Sequence, residues 1–194
     1  VPAHTGKGDG MLISEDRTPN FRGALVTGLT QRGADADLRD LAKDIEAGKV
    51  KSLLICREDV TTLGISAQLL SEVRVVVIAT HRSTTTDAAE VVLPGLTVFE
   101  RSGSFINCQF RLQSFAQAIP GPSGTLPDST YLARFAGVNA DSVWKELSQH
   151  IPALAGLAHG KIPEDGVMID SKAWSNITFP EGRLLKFAPA AVKA

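Results

Sequence analysis

The sequence predicts an α/β fold: a Rossmann-like, mostly parallel sheet with flanking helices, followed by a helical, loop-rich C-terminal extension. Three observations lead there. Two apolar runs, Val50–Cys56 and Val75–Ile78, have the length and β-branched content of buried strands. The segments Leu38–Ala47 and Thr61–Val73 carry apolar residues at helical spacing, so helix and strand alternate as in a βαβ arrangement. A third apolar run, Val91–Leu93, is cut by Pro94 and Gly95 and leads into a turn-rich loop. A strand ending in such a loop fits the carboxyl edge of a parallel sheet, where these sheets place ligands.

The elements follow in order. Residues 1–14 are polar and glycine-rich, with Gly6, Gly8 and Gly10 alternating. No strand precedes them and no Lys-Ser/Thr follows, so they read as a loop and not as a phosphate-binding motif. In Leu38–Ala47 the apolar stripe is Leu38, Leu41, Ala42 and Ile45, and Gly48 is the natural C-cap. Cys56 ends the next strand as a small, buried apolar side chain. The helix over 61–73 is expected to be capped by Thr61 or Thr62, and a right-handed crossover to return the chain to Val75. Ser83 or Thr84 caps a short helix before Val91. Beyond the loop Ser102–Asn107, polar and apolar residues alternate up to Gln113. The run Ile119–Gly124 is a stiff, exposed connector. Pro127-Asp128 then starts a helix with Leu132, Phe135 and Ala136 on its apolar face, and Asp141 or Ser142 caps another carrying Val143, Trp144, Leu147 and Ile151. The last stretch, from Met168, is proline-punctuated and weakly patterned. The organisation expected is a flexible segment over 1–17, an α/β domain over 18–125, a helical continuation over 126–167 and an extension over 168–194.

Composition narrows the function. The 194 residues carry a formal net charge of -1, so no basic surface argues for nucleic acid. No apolar run approaches the roughly 18 residues that span a bilayer, and no secretory pattern opens the chain. Its start at Val1 rather than Met is expected of a fragment or of a processed product; in a fragment, the other parts would hold any redox centres. The two cysteines, Cys56 and Cys108, form no Cys-x-x-Cys pair and cannot make a four-thiolate metal site, so no iron–sulfur cluster is expected here. His4, His81, His150 and His159 have no metal-ligand spacing. There is no Gly-x-Ser-x-Gly elbow and no carboxylate pair placed across a cleft. No catalytic residue and no metal ligand is assigned on these grounds.

The stretch VVLPGLTVFERSGSFINCQFRLQ, from Val91 to Gln113, resembles the signature of the molybdopterin oxidoreductase superfamily. The matching positions are Ala89, Val91, Val92, Leu93, Pro94, Glu100, Gly103, Phe105, Asn107, Arg111 and Gln113. Thr85 falls where that family starts a helix with Thr, and Asn20, Gly23, Ala24 and Gly28 echo an earlier family segment. Two departures stand out. The family's Gly-x-Asn-Pro loop reads Arg57, Glu58, Asp59, Val60, which removes a glycine suited to close backbone approach and adds an acid. The family's Glu-Gly before Arg111 reads Gln109-Phe110.

What the resemblance implies depends on the branch. In the branch similar to the large peripheral-arm subunit of respiratory NADH–quinone oxidoreductase (complex I), this fold has lost its molybdenum cofactor and acts as a scaffold behind a separate iron–sulfur domain. The altered loops are more similar to this branch. It implies no cofactor in this chain, iron–sulfur clusters elsewhere, contacts to other subunits of a redox complex, and a cytoplasmic place peripheral to the inner membrane. The alternative branch, of formate dehydrogenase or nitrate reductase type, implies a molybdopterin guanine dinucleotide, with Arg57, Thr85 and Arg111 as its contacts. In either branch Pro94, Glu100, Gly103, Asn107 and Arg111 form the structural signature, with an Arg111–Glu100 salt bridge expected as its lock.

Overall fold

The computed structural model describes residues 4–9, 13–30, 34–158 and 160–179. Gly10, His159 and residues 180–194 of the expected extension lie outside them. The three apolar runs form a parallel sheet: β1 (Ser52–Cys56), β2 (Arg74–Ala79) and β3 (Val91–Pro94), in the order β1-β2-β3. Leu53 pairs with Val75, Val77 with Val92, and Ala79 with Pro94. Pro94 ends the ladder because it has no N–H to donate.

Between β1 and β2 the sequence predicts one helix, and the chain makes two short pieces. A 3-10 turn over Val60–Leu63 stops at Gly64, whose φ of 95° suits only glycine. The helix α3 (Ala67–Ser71) then restarts with Ser66 Oγ accepting the Leu69 N–H. The cap of the 3-10 turn is Asp59, not Thr61 or Thr62. Upstream, α1 (Phe21–Val26) is followed by α2 (Ala34–Glu46), and Gly48 carries the chain out at φ 66° as its composition suggests.

One face of the parallel sheet is buried. Ile55, Val75 and Val77 pack with Ile45 of α2, Val60, Ile65 and Leu70 of α3. The other face, set by strand alternation, is partly open. In the row Leu54–Val76–Val91, the outer two residues are 45% and 44% exposed. Cys56 shares that face and is exposed, which corrects the expectation of a buried thiol on a strand buried on both sides. The reason is that β1 is an edge strand with both helices on its opposite face.

The alternation read as the end of a long loop is a second sheet. β4 (Gly103–Ile106), β5 (Arg111–Phe115) and β6 (Val167–Met168) are antiparallel in that order. Their inner face joins Val26 of α1, Leu154, Ile162 and Ile169 in a second hydrophobic cluster. Trp144 and Leu147 of α6 (Val143–His150), with Ile151 just after it, pack against this cluster as their spacing predicts. Asn20 ties α1 to this sheet, its Oδ1 accepting the Ile106 N–H at 2.9 Å. The helix α5 (Asp128–Ala136) corrects another expectation: Ala133 is its buried residue, while Leu132 and Phe135 are 41% and 59% exposed. No helix among the described residues is long and apolar enough to cross a membrane.

The turn into β6 makes a sharp demand on sequence. Gly166 has φ 78°, and a Cβ there would lie 2.5 Å from the Leu112 carbonyl oxygen. Gly166→Ala is therefore expected to lower unfolding free energy by roughly 2 kcal/mol, from left-handed strain plus displacement of β5. Urea unfolding with an unchanged m-value would check it.

Candidate functional site

The loops after β1, β2 and β3 meet at the carboxyl edge of the parallel sheet, joined by the start of α5. Arg57 leaves β1 with its N–H bonded to the Ile78 carbonyl at 2.8 Å. Among the described residues two non-glycines take a left-handed backbone, Arg57 at φ 63° and Phe110 at φ 60°. These are two places where this chain replaces a glycine of the pattern it resembles. The side chain of Arg57 then crosses the edge. It donates to both carboxylate oxygens of Asp128, Nη2 reaching Oδ1 at 2.8 Å, and to the Leu96 carbonyl. Loop, strand end and helix start are thereby tied across 71 residues of sequence.

Asp59 makes the second tie. Its Oδ1 accepts from Thr61 Oγ1 at 2.6 Å and from Thr85 Oγ1 at 2.6 Å. These bonds, Thr61 first and then Thr85, hold the carboxyl below its ordinary range. Thr85 has no exposed surface. It sits in α4 (Thr84–Asp87), which Ser83 and Thr86 start with a reciprocal capping box. Beside α4, a cavity of about 420 Å³ is lined by Thr80, His81, Arg82, Thr86 and Asp87 among others. Its cation is already paired, Arg82 lying 3.0 Å from Asp87. His81 Nδ1 lies 2.8 Å from Thr80 Oγ1. Among the described residues no cluster of histidine, cysteine and carboxylate is arranged for a metal ion.

The edge thus brings Arg57 and Thr85 together, linked through neighbouring loop residues, and leaves Arg111 on the other sheet. Arg111 opens β5 and donates to the Asp165 carbonyl at 2.9 Å. The expected Arg111–Glu100 lock does not form. Glu100 accepts the Thr97 N–H at 2.7 Å and caps its own 3-10 turn instead. The other signature residues make contacts within the fold. Asn107 Oδ1 accepts the N–H groups of Gln109 and Arg111, closing the β4–β5 turn. Gly103 lies so near the Phe115 ring that a Cβ would come within 2.8 Å. The Pro94 carbonyl accepts from the Tyr131 hydroxyl at 3.2 Å. Sequence reasoning missed Asp128 as the partner of Arg57, having read it only as a dipole-favoured helix start. The single hint was an arginine where a glycine was expected.

A parallel sheet flanked by helices, with its loops gathered at the carboxyl edge, places the chain among α/β folds that take ligands at that edge. Within that class, the family model for molybdopterin oxidoreductase matches residues 26–138, and this chain belongs to that family. Two relatives are the alpha subunits of F420-dependent formate dehydrogenases 2 and 1 of Methanococcus maripaludis, 28% and 27% identical over 93 residues. The matched stretch covers 43% of this chain and 14% of each relative.

At the loop after β1, the edge offers little to an anionic cofactor. The Arg57 guanidinium is neutralised by Asp128 and lies across the loops, and Asp59 is a carboxylate held in its charged form. A phosphate placed there would meet an acid and no free cation at either position.

Both ties can be tested by mutation. Because Asp59 is lowered from its ordinary 3.8, its bonds stabilise fully above that pH and weaken as pH falls through the lowered value. The stability advantage of wild type over Asp59→Asn is expected to be complete near neutrality and to shrink on acidification below that range, while Thr85→Val should lose about 1–2 kcal/mol by leaving the site short of a donor. For the clasp, Arg57→Gly is expected to cost about 1 kcal/mol less than Arg57→Ala, since glycine accepts the left-handed backbone. A double-mutant cycle of Arg57→Ala with Asp128→Ala should give a coupling of about 1–2 kcal/mol by urea unfolding.

Proposed function

We propose that this chain is a scaffold domain of a protein resembling the large peripheral-arm subunit of NADH–quinone oxidoreductase, within an electron-transfer complex whose iron–sulfur centres lie outside it. The observation that carries this reading is the Arg57 clasp. In a family whose sheet edge serves a dinucleotide, the loop after β1 is here tied down by its own side chains. Phe110 supports it: at the second lost glycine the side chain stacks on Trp174, with ring centroids 5.7 Å apart. Both substitutions turn positions of close backbone approach into packing or pairing positions. On this reading the domain contacts other subunits and performs no chemistry of its own, on the cytoplasmic side of the inner membrane.

A second reading follows from the relatives, which are named as formate dehydrogenase subunits. It makes the chain the cofactor-holding part of a molybdenum or tungsten bis-pterin oxidoreductase, with Arg57, Thr85 and Arg111 at the cofactor. It requires Arg57 to exchange Asp128 for a phosphate.

Metal and pterin analysis of the native full-length protein or its complex separates the two. Iron without molybdenum, tungsten or releasable pterin is expected. Stoichiometric molybdenum or tungsten with pterin would overturn the scaffold reading.

A further inference from the structure

The β4 side of the carboxyl edge holds a group that the reading above leaves idle. Arg101 lines a cavity of about 720 Å³ together with Ser102, Gln117, Thr130 and Asp141. Its Nε is buried and has no hydrogen-bond partner. Its guanidinium lies 5.5 Å from the centroid of the Phe115 ring, a weak substitute for an anion. Burial, and after it the neighbouring Arg57, weigh against its charge, while Asp128 favours it. Asp128, however, is engaged by Arg57 through two hydrogen bonds. Asp128 is thus committed to Arg57, and the Arg101 Nε keeps no hydrogen-bond partner. Of the acids on the cavity wall, Glu100 is turned to the Thr97 amide. A buried donor without a partner has lost its water and gained nothing in exchange, so a carboxylate brought to Arg101 regains that penalty.

An apolar patch lies next to these lining residues in the chain. Val98, Phe99 and Ile119 are 41%, 64% and 51% exposed. They are held side by side, the Ala118 and Ile119 N–H groups donating to the Phe99 carbonyl at 2.8 and 3.0 Å. An exposed apolar cluster beside an under-paired arginine is the composition of an interface hot spot.

We propose that this surface docks a neighbouring polypeptide, whose Asp or Glu side chain enters the cavity to pair with Arg101 while flanking apolar residues cover Val98, Phe99 and Ile119. The unpartnered Nε selects the occupant: it calls for an acceptor that can reach Arg101, and the exposed Phe99 calls for apolar neighbours on the same segment. Asp141 on the cavity wall favours an amide or cationic group beside that carboxylate. The proposal rests on the scaffold reading for its supply of partners, but its test is separate.

The test places a photo-reactive benzoylphenylalanine at position 99 in the native assembled complex and maps the adducts by mass spectrometry. Adducts to one partner segment bearing Asp or Glu within a few residues are expected. Arg101→Gln should reduce their yield at least about tenfold, and Arg101→Lys, which keeps the charge without the planar fork, should restore part of it. Circular dichroism of each variant shows whether the domain still folds, and the Lys variant keeps the test alive if Gln does not. Absence of intersubunit adducts at position 99, or a yield indifferent to Arg101→Gln, would overturn the proposal. Saturable acetate binding at Arg101 in a complex without adducts would also overturn it, in favour of a small-molecule pocket. Molybdenum with pterin in a complex that still gives the adducts would remove the scaffold reading and leave this surface standing.

Discussion

The carboxyl edge depends on the bond between Arg57 and Asp128. It spans 71 residues of sequence and, with the Leu96 carbonyl, gathers the ends of β1 and β3 and the start of α5. Both side chains are mostly withdrawn from water, at 28% and 19% exposure. An ion pair in that setting is less screened than one on the surface, and its loss strands a partly buried charge. The exposed Arg74–Glu90 and Arg82–Asp87 pairs contribute far less. Remove the clasp, and the loops that form the edge are held chiefly by the smaller Asp59–Thr85 tie.

The same physics explains the two left-handed residues. A non-glycine at φ near +60° costs of order 1–3 kcal/mol and persists only where its side chain gains more elsewhere. Arg57 gains an ion pair. Phe110 gains burial among Trp174, Phe179 and the second cluster. Both positions keep the left-handed backbone that glycine favours. What differs is the side chain that occupies the space a glycine would leave open.

Surface apolarity follows a second pattern. The parallel sheet keeps an open row at Leu54 and Val91, and α5 exposes Leu132 and Phe135, where periodicity alone argued burial. Parallel sheets are ordinarily covered on both faces. The contrast is sharpest at α5. Its apolar spacing is real, but its contacts with this chain run through Asp128 to Arg57, through Ala133 and through Tyr131 to the Pro94 carbonyl.

The three parallel strands, the Gly48 stop, the Ser83 cap and the packing of Trp144 and Leu147 were legible because each rests on local pattern: β-branched runs, glycine and capping chemistry, and helical spacing. The family resemblance was legible for a similar reason, since its signature residues close turns and tight approaches within a short stretch. The antiparallel β4–β5–β6 sheet was not, because β6 is two residues long and comes from 52 positions beyond the end of β5 at Phe115. Nor were the exposure of Cys56 or the pairing of Arg57 with Asp128; the Thr97–Glu100 capping box, three residues apart, was local and went unread. The sequence by itself determined which segments become strands and helices, through forces acting over a few residues. Only the tertiary structure decided which face is covered and which charge meets which, because those depend on segments far apart in the chain arriving within 3 Å of one another.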